Sequence, residues 1–185
     1  MKKLYLSLLT GALLISGCAS KGPKAEHELK KDSLQKVYLI IDSPGLKYES
    51  LSFVKKDEKG IHIYAVNDKT HKFYDIDIRK EDICVRDNLS KPSWFSDGYK
   101  CVPKNQFSEK ILKVNYPGTL LENIVNGAQI YNGDHSWITT NGLRQTIIDR
   151  GHDIDYRVSE KESFFRDRIS NVKVVLQIKD FEIKK

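Results

Sequence analysis

The sequence is poor in cysteine, methionine and proline, with three Cys, one Met and five Pro in 185 residues. Three cysteines are too few for a disulfide-dense scaffold, and no Cys-x-x-Cys spacing points to a redox or metal pair. Past residue 15 no stretch approaches the roughly 20 apolar residues that a membrane-spanning helix needs. No Gly-x-Ser-x-Gly marks a nucleophile elbow. The chain has no internal repeat and no low-complexity segment, and nothing in it calls for a cofactor or a metal. Basic residues do not cluster with interleaved aromatics, which makes nucleic acid a poor partner.

What is present starts at the amino terminus. Lys2 and Lys3 form a short positive region, and Leu4 to Ile15 is apolar apart from Ser7 and Thr10. That length fits a signal-peptide core and is too short for a bilayer span. Ile15-Ser16-Gly17-Cys18 then places an aliphatic and two small residues before a cysteine. This resembles the lipobox of bacterial lipoproteins. The resemblance implies a thioether lipid on Cys18, cleavage after Gly17 and acylation of the new amino terminus. It covers the leader and Cys18 alone, and no family is evident for the rest. Two or three acyl chains anchor a protein stably where one does not. Ala19 and Ser20 follow the cysteine, and the lack of Asp at the second position favours the outer membrane in a Gram-negative host. The expected location is therefore the cell envelope, lipid-anchored, on the periplasmic or the surface side.

Without Lys2 and Lys3 the formal charge of +6 falls by two, leaving a mild basic bias. This permits contact with anionic lipid, lipopolysaccharide or peptidoglycan without requiring it. Cys84 and Cys101 remain as a pair, and in an oxidising compartment such a pair is expected to form a disulfide.

Residues 18–36 read as a charged, flexible tether, since Lys24 to Asp32 offers almost nothing to bury. Residues 37–185 read as one domain. Val37 to Ile41, Lys47 to Lys55, Ile61 to Val66 and Lys72 to Ile78 are expected strands of an antiparallel meander. Ile83 to Val85 and Tyr99 to Val102 are short extended pieces. Thr119-Leu-Leu-Glu122 matches a capping box opening a helix that Gly127 ends. Leu143 to Arg150 is expected as a second short helix, with Leu143, Ile147 and Ile148 on its buried face. Strands return at Ile154 to Val158, around Phe164 and Phe165, and at Val172 to Ile178. The fold class that follows is α+β: an antiparallel meander or partly open barrel with two short helices and one disulfide.

Several residues carry possible chemistry. Asp134-His135-Ser136 has triad residue types but in consecutive positions, and reads as a polar turn. His135, His152, Asp153 and Asp155 could gather around a metal, although His135 and His152 lack helical ligand spacing. Asp75 and Asp77 share a strand face at a separation open to glycosidase geometry, or form a solvent-facing pair. Trp94, Phe95 and Tyr99, beside Lys91 and Lys100, make an aromatic, basic loop that would be a contact surface if exposed. The expected function is non-enzymatic: an anchored module binding another envelope component, a protein first, with peptidoglycan or lipopolysaccharide behind. Two alternatives stand beside it. One is a lipid-anchored hydrolase using His135 and His152 with neighbouring Asp residues. The other is a subunit of a secretion or conjugation apparatus. A polar cleft holding both histidines would favour the hydrolase, and an exposed apolar patch or free strand edge would favour assembly.

Overall fold

Alternating β-branched and aromatic residues become eleven strands in the computed structural model, which describes residues 34–67, 72–87, 99–149 and 151–180. They are β1 (Leu34–Asp42), β2 (Lys47–Asp57), β3 (Gly60–Asn67), β4 (Lys72–Ile78), β5 (Asp82–Asp87), β6 (Tyr99–Pro103), β7 (Ser136–Thr139), β8 (Gly142–Asp149), β9 (His152–Val158), β10 (Glu162–Asp167) and β11 (Val172–Ile178). All join one antiparallel sheet in the order β6-β5-β4-β3-β2-β1-β11-β10-β9-β8-β7. The first and last strands thus meet in mid-sheet, with Leu39 opposite Leu176 and Ile41 opposite Val174. From there two meanders run outward to β6 and β7, the outermost strands among the described residues. β1 opens slightly ahead of Val37, at Leu34.

One face of the sheet is the core. Val37, Leu39 and Ile41 of β1 bury beside Ile63, Ile76, Ile83, Ile154, Tyr156, Phe165 and Leu176. The opposite parity carries Lys36, Asp75, Asp77, Arg144, Asp155, Arg157 and Arg166, and ion pairs such as Arg86–Asp75, Arg144–Asp155 and Arg157–Asp155 lie on that side. The chain between the two edge strands, residues 104–135, lies against the inner face. It holds helix α1 (Lys104–Phe107), which runs into a π-helical turn at Ser108–Leu112, and helix α2 (Leu120–Asn126). Phe107, Leu112, Tyr116, Leu120, Leu121, Ile124, Val125 and Ile130 bury with the inner-face side chains as one cluster. Tyr156 shows how the layers lock: its ring is fully buried and its hydroxyl donates to the Ala128 carbonyl at 2.8 Å.

The sheet-dominated antiparallel architecture, two short helices and the disulfide agree with the sequence reading, but two local expectations need correction. Residues 143–149 are strand β8, not a helix. Leu143 and Ile147 are four apart, a spacing that both a helix and a strand place on one side. Ile148 breaks the tie, because a helix would bury it and it is 77% exposed. The second helix is α1 instead. The capping box is also absent: Thr119 makes no side-chain cap bond, and Glu122 accepts from Lys104 Nζ at 2.6 Å. Gly127 does end α2 in the left-handed conformation, at φ 63°.

Cys84 and Cys101 face each other across β5 and β6 and form a disulfide with a sequence separation of 17. Closing a loop of that size stabilises a fold by about 3 kcal/mol in the chain-entropy model. Cys84→Ser is therefore expected to lower unfolding free energy by about 2–5 kcal/mol in chemical denaturation. Wild-type thiols should react with an alkylating reagent only after reduction. No helix among the described residues is long and apolar enough to cross a membrane.

Candidate functional site

Alternation along β10 sends Ser163, Phe165 and Asp167 to the inner face, so a carboxylate occupies a core position. Asp167 is 1% exposed and fully engaged. Its Oδ1 accepts the backbone N–H groups of Asp153 at 3.2 Å, Ile169 at 3.1 Å and Ser170 at 3.4 Å. Its Oδ2 accepts the Tyr116 hydroxyl at 2.9 Å and His152 Nδ1 at 2.6 Å. Burial pushes this carboxyl up. The hydrogen bonds from His152, Asp153 and Tyr116 outweigh burial and bring it down to about 2. An ionised carboxylate can only accept, so Nδ1 of His152 carries the hydrogen, and in the neutral ring Nε2 is the accepting nitrogen. The Tyr116 phenol is held far above its usual range, by burial and then by its bond to Asp167. Its ring stacks at a tilt on His152, centroids 5.1 Å apart, and meets Phe165 edge-on at 5.7 Å.

Next to this buried group opens a cleft of about 670 Å³. Tyr116, Tyr131, Asp134, His135, Asp149 and His152 line it, with Pro117 and Ile147 as apolar wall. The loop along one side is backbone-strained. Tyr131, Asn132 and His135 all have left-handed φ, at 47°, 57° and 51°. Such conformations cost non-glycine residues free energy and persist where surrounding contacts enforce them. The enforcing contact here is Gln145 of β8, whose buried amide accepts from Ile130 N–H at 2.8 Å and donates to the carbonyls of Ile130 and Asp134 at 3.0 and 2.9 Å. Gly133 suits the same turn because its φ of 85° is one that side-chain-bearing residues rarely adopt. The Tyr131 hydroxyl is shielded from solvent and has no hydrogen-bond partner among the described residues. Burial, with the Asp167 charge behind it, raises this phenol to about 12. An unpaired buried hydroxyl costs about 1–3 kcal/mol, which a partner reaching it would return.

The structure brings His135 and His152 into this one cleft but separates the rest of the proposed metal set. His152 faces inward, while Asp153 and Asp155 face outward and pair with Arg168 at 2.8 Å, Arg144 at 3.6 Å and Arg157 at 3.4 Å. The metal grouping is overturned by that parity. Among the described residues the one tight group of ligand types is Asp82, Cys84 and Cys101, and its two sulfurs are spent in the disulfide. Asp134 and His135 form a polar turn, and Ser136 already opens β7, its Oγ accepting from Gln129 Nε2 at 3.3 Å. Asp75 and Asp77 are both committed on the outer face. Asp75 takes the Tyr99 hydroxyl at 3.3 Å and lies 3.7 Å from Arg86, and Asp77 accepts from His62 at 2.9 Å.

Of the aromatic, basic loop, Tyr99 is half-buried on edge strand β6 under Arg86, and Lys100 beside it is exposed. Lys91, Trp94 and Phe95 lie outside the described residues, as does Cys18. The opposite edge carries its own apolar exposure: Trp137 and Ile138 of β7 and Ile148 of β8 are 44%, 66% and 77% exposed. Asp167 beneath the cleft and Tyr116 and Tyr131 in its wall are among the residues that the sequence reading did not pick out. For Asp167 a signal existed, because the alternation Ser163-Phe165-Asp167 puts an acid in line with a core phenylalanine. Tyr116 and Tyr131 gave none, since both lie in irregular chain. The chain matches no protein-family model and no curated protein.

Proposed function

We propose that this chain is an envelope lipoprotein, anchored through Cys18, whose domain works as a non-enzymatic binding module for another cell-envelope component. In this reading the α+β domain is a partly open barrel filled by the helical crossover, and recognition takes place at the cleft. The cleft itself carries the proposal: about 670 Å³, polar, walled by two tyrosines and two histidines, and braced from beneath by a fully engaged carboxylate. Its size lies in the range of small-molecule sites, and such a mixture of apolar wall and few fixed polar groups is what sets ligand orientation. Non-enzymatic action fits the surroundings of His152 and His135, where the neighbouring hydroxyl of Ser136 is already bonded to Gln129.

A second reading has one observation in its favour. The Asp167–His152 pair orients an imidazole in the way a general base is oriented, which would suit a hydrolase acting on water. The two readings part on whether a captured ligand is released unchanged or cleaved.

The test places a photoreactive residue at exposed Asn115 or Asp134 on the cleft rim, and at exposed Leu51 on the outer face, in intact cells. Capture of an envelope component from the rim positions alone is expected. Equal capture from Leu51 would remove the cleft as the recognition site. Cys18→Ala should leave an unprocessed precursor that takes up no labelled fatty acid, and unchanged labelling would end the anchoring part of the proposal.

A further inference from the structure

We infer that the outer face of the β7–β11 wing docks on an anionic phospholipid surface, through cations that the sheet register collects from separate strands. Arg144 of β8 stands directly opposite Arg157 of β9, and Arg166 of β10 directly opposite Lys173 of β11. Like charges placed opposite each other on neighbouring strands destabilise a sheet. The acids on this side offset them only in part. Asp155 is shared by Arg144 and Arg157, at 3.6 and 3.4 Å. Asp153 is taken by Arg168 at 2.8 Å, and Glu162, at the far end of β10, accepts from Gln177. Arg166 and Lys173 form no ion pair among the described residues, and both line a groove of about 500 Å³ at the turn end of β10 and β11.

The arrangement selects its occupant. Neighbouring strands lie about 4.8 Å apart, so β8 to β11 spans about 14 Å, too far for one phosphate or carboxylate to join both pairs. A surface bearing many anions can meet both at once. Apolar side chains stand among the cations: Trp137 and Ile148 on the outer side of β7 and β8, and Ile169 next to Arg168, are all exposed. A soluble polyanion has no use for them. An anionic bilayer takes both kinds of group, its phosphates meeting the cations and its interface the indole and aliphatic side chains. Two of the guanidinium groups are already stacked, Arg144 over the Trp137 ring at 6.0 Å and Arg157 over the Phe164 ring at 4.5 Å, so less ordering is needed on docking. Contact through this face leaves the cleft open, because Ile147 and His152 line it from the inner side of the sheet. The inference therefore stands apart from the cleft reading.

Sedimentation with vesicles tests this, using the mature chain with Cys18→Ser so that no acyl chain contributes. The probes are vesicles of phosphatidylcholine alone, vesicles in which phosphatidylglycerol replaces a third of it, and poly-glutamate as a soluble polyanion. Binding is expected to the anionic vesicles alone, and should fade at high salt, where exposed charges are screened. Arg166→Gln with Lys173→Gln should weaken it about tenfold or more, with the melting temperature unchanged or raised. Lys59→Gln with Lys110→Gln removes the same charge from exposed positions elsewhere and should leave binding nearly unchanged. Ile148→Ser with Ile169→Ser should weaken vesicle binding without altering charge. Equal binding to neutral vesicles, undiminished binding by the Arg166 and Lys173 double variant, or an equal loss from the Lys59 and Lys110 double variant would each overturn the inference. Poly-glutamate bound as tightly as the anionic vesicles, with no effect of the isoleucine replacements, would overturn it in favour of an acidic polymer.

Discussion

Asp167→Ala is expected to cost the fold about 3–5 kcal/mol, because several buried partners are left unsatisfied at about 1–3 kcal/mol each. The substitution strands more than one group. Tyr116 and His152 lose their acceptor, and the N–H groups of Asp153, Ile169 and Ser170 lose theirs. Equilibrium denaturation at neutral pH measures the loss. Asp167→Asn keeps the shape and removes the charge, and it isolates the pH dependence. The native carboxyl sits at about 2, below its ordinary value. Between those values the unfolded chain binds the proton and the native chain does not, so stability rises with pH. The contribution is complete above about pH 5 and is lost as pH falls toward about 2, amounting to about 2–3 kcal/mol. Denaturation across that window should therefore show a steeper acid limb for wild type than for Asp167→Asn. Parallel curves would mean that Asp167 is not the group responsible.

Gln145→Leu is expected to destabilise by about 3 kcal/mol or more, despite being a polar-to-apolar change in the core. Leucine fills the space but leaves the Ile130 N–H and the carbonyls of Ile130 and Asp134 without the amide that satisfies them. Each buried group left unpaired costs about 1–3 kcal/mol. The effect should also reach the cleft, because the same amide holds both ends of the strained turn. Thermal melting and crosslinking from the Asn115 rim position would show the two losses together.

The strands were legible because period-two alternation of β-branched residues has few other meanings, as Val172 to Ile178 illustrates. β8 reads as a helix because Leu143 and Ile147 satisfy both periods, and the inner-face residue between them is polar. Gln145 belongs to the inner face as much as they do, yet only a tertiary partner makes a buried amide affordable. The cleft was half legible. His135 and His152 stood out by residue type, but Tyr116, Tyr131 and Asp167 acquire their roles from a crossover that brings distant segments onto one patch of sheet. The disulfide needed only counting.

The meeting of β1 and β11 in mid-sheet has a mechanical consequence. A pull delivered through the chain ahead of Leu34 enters the domain at β1, which is bonded to β2 on one side and β11 on the other. An edge strand under tension peels away one bond at a time. β1 can leave only by rupturing two ladders together, with Leu39 and Ile41 dragged out of the core. Load arriving along the chain ahead of Leu34 would thus meet the domain at a strand held on both sides. The wings, where β6, β7 and the cleft lie, would stay outside the line of force.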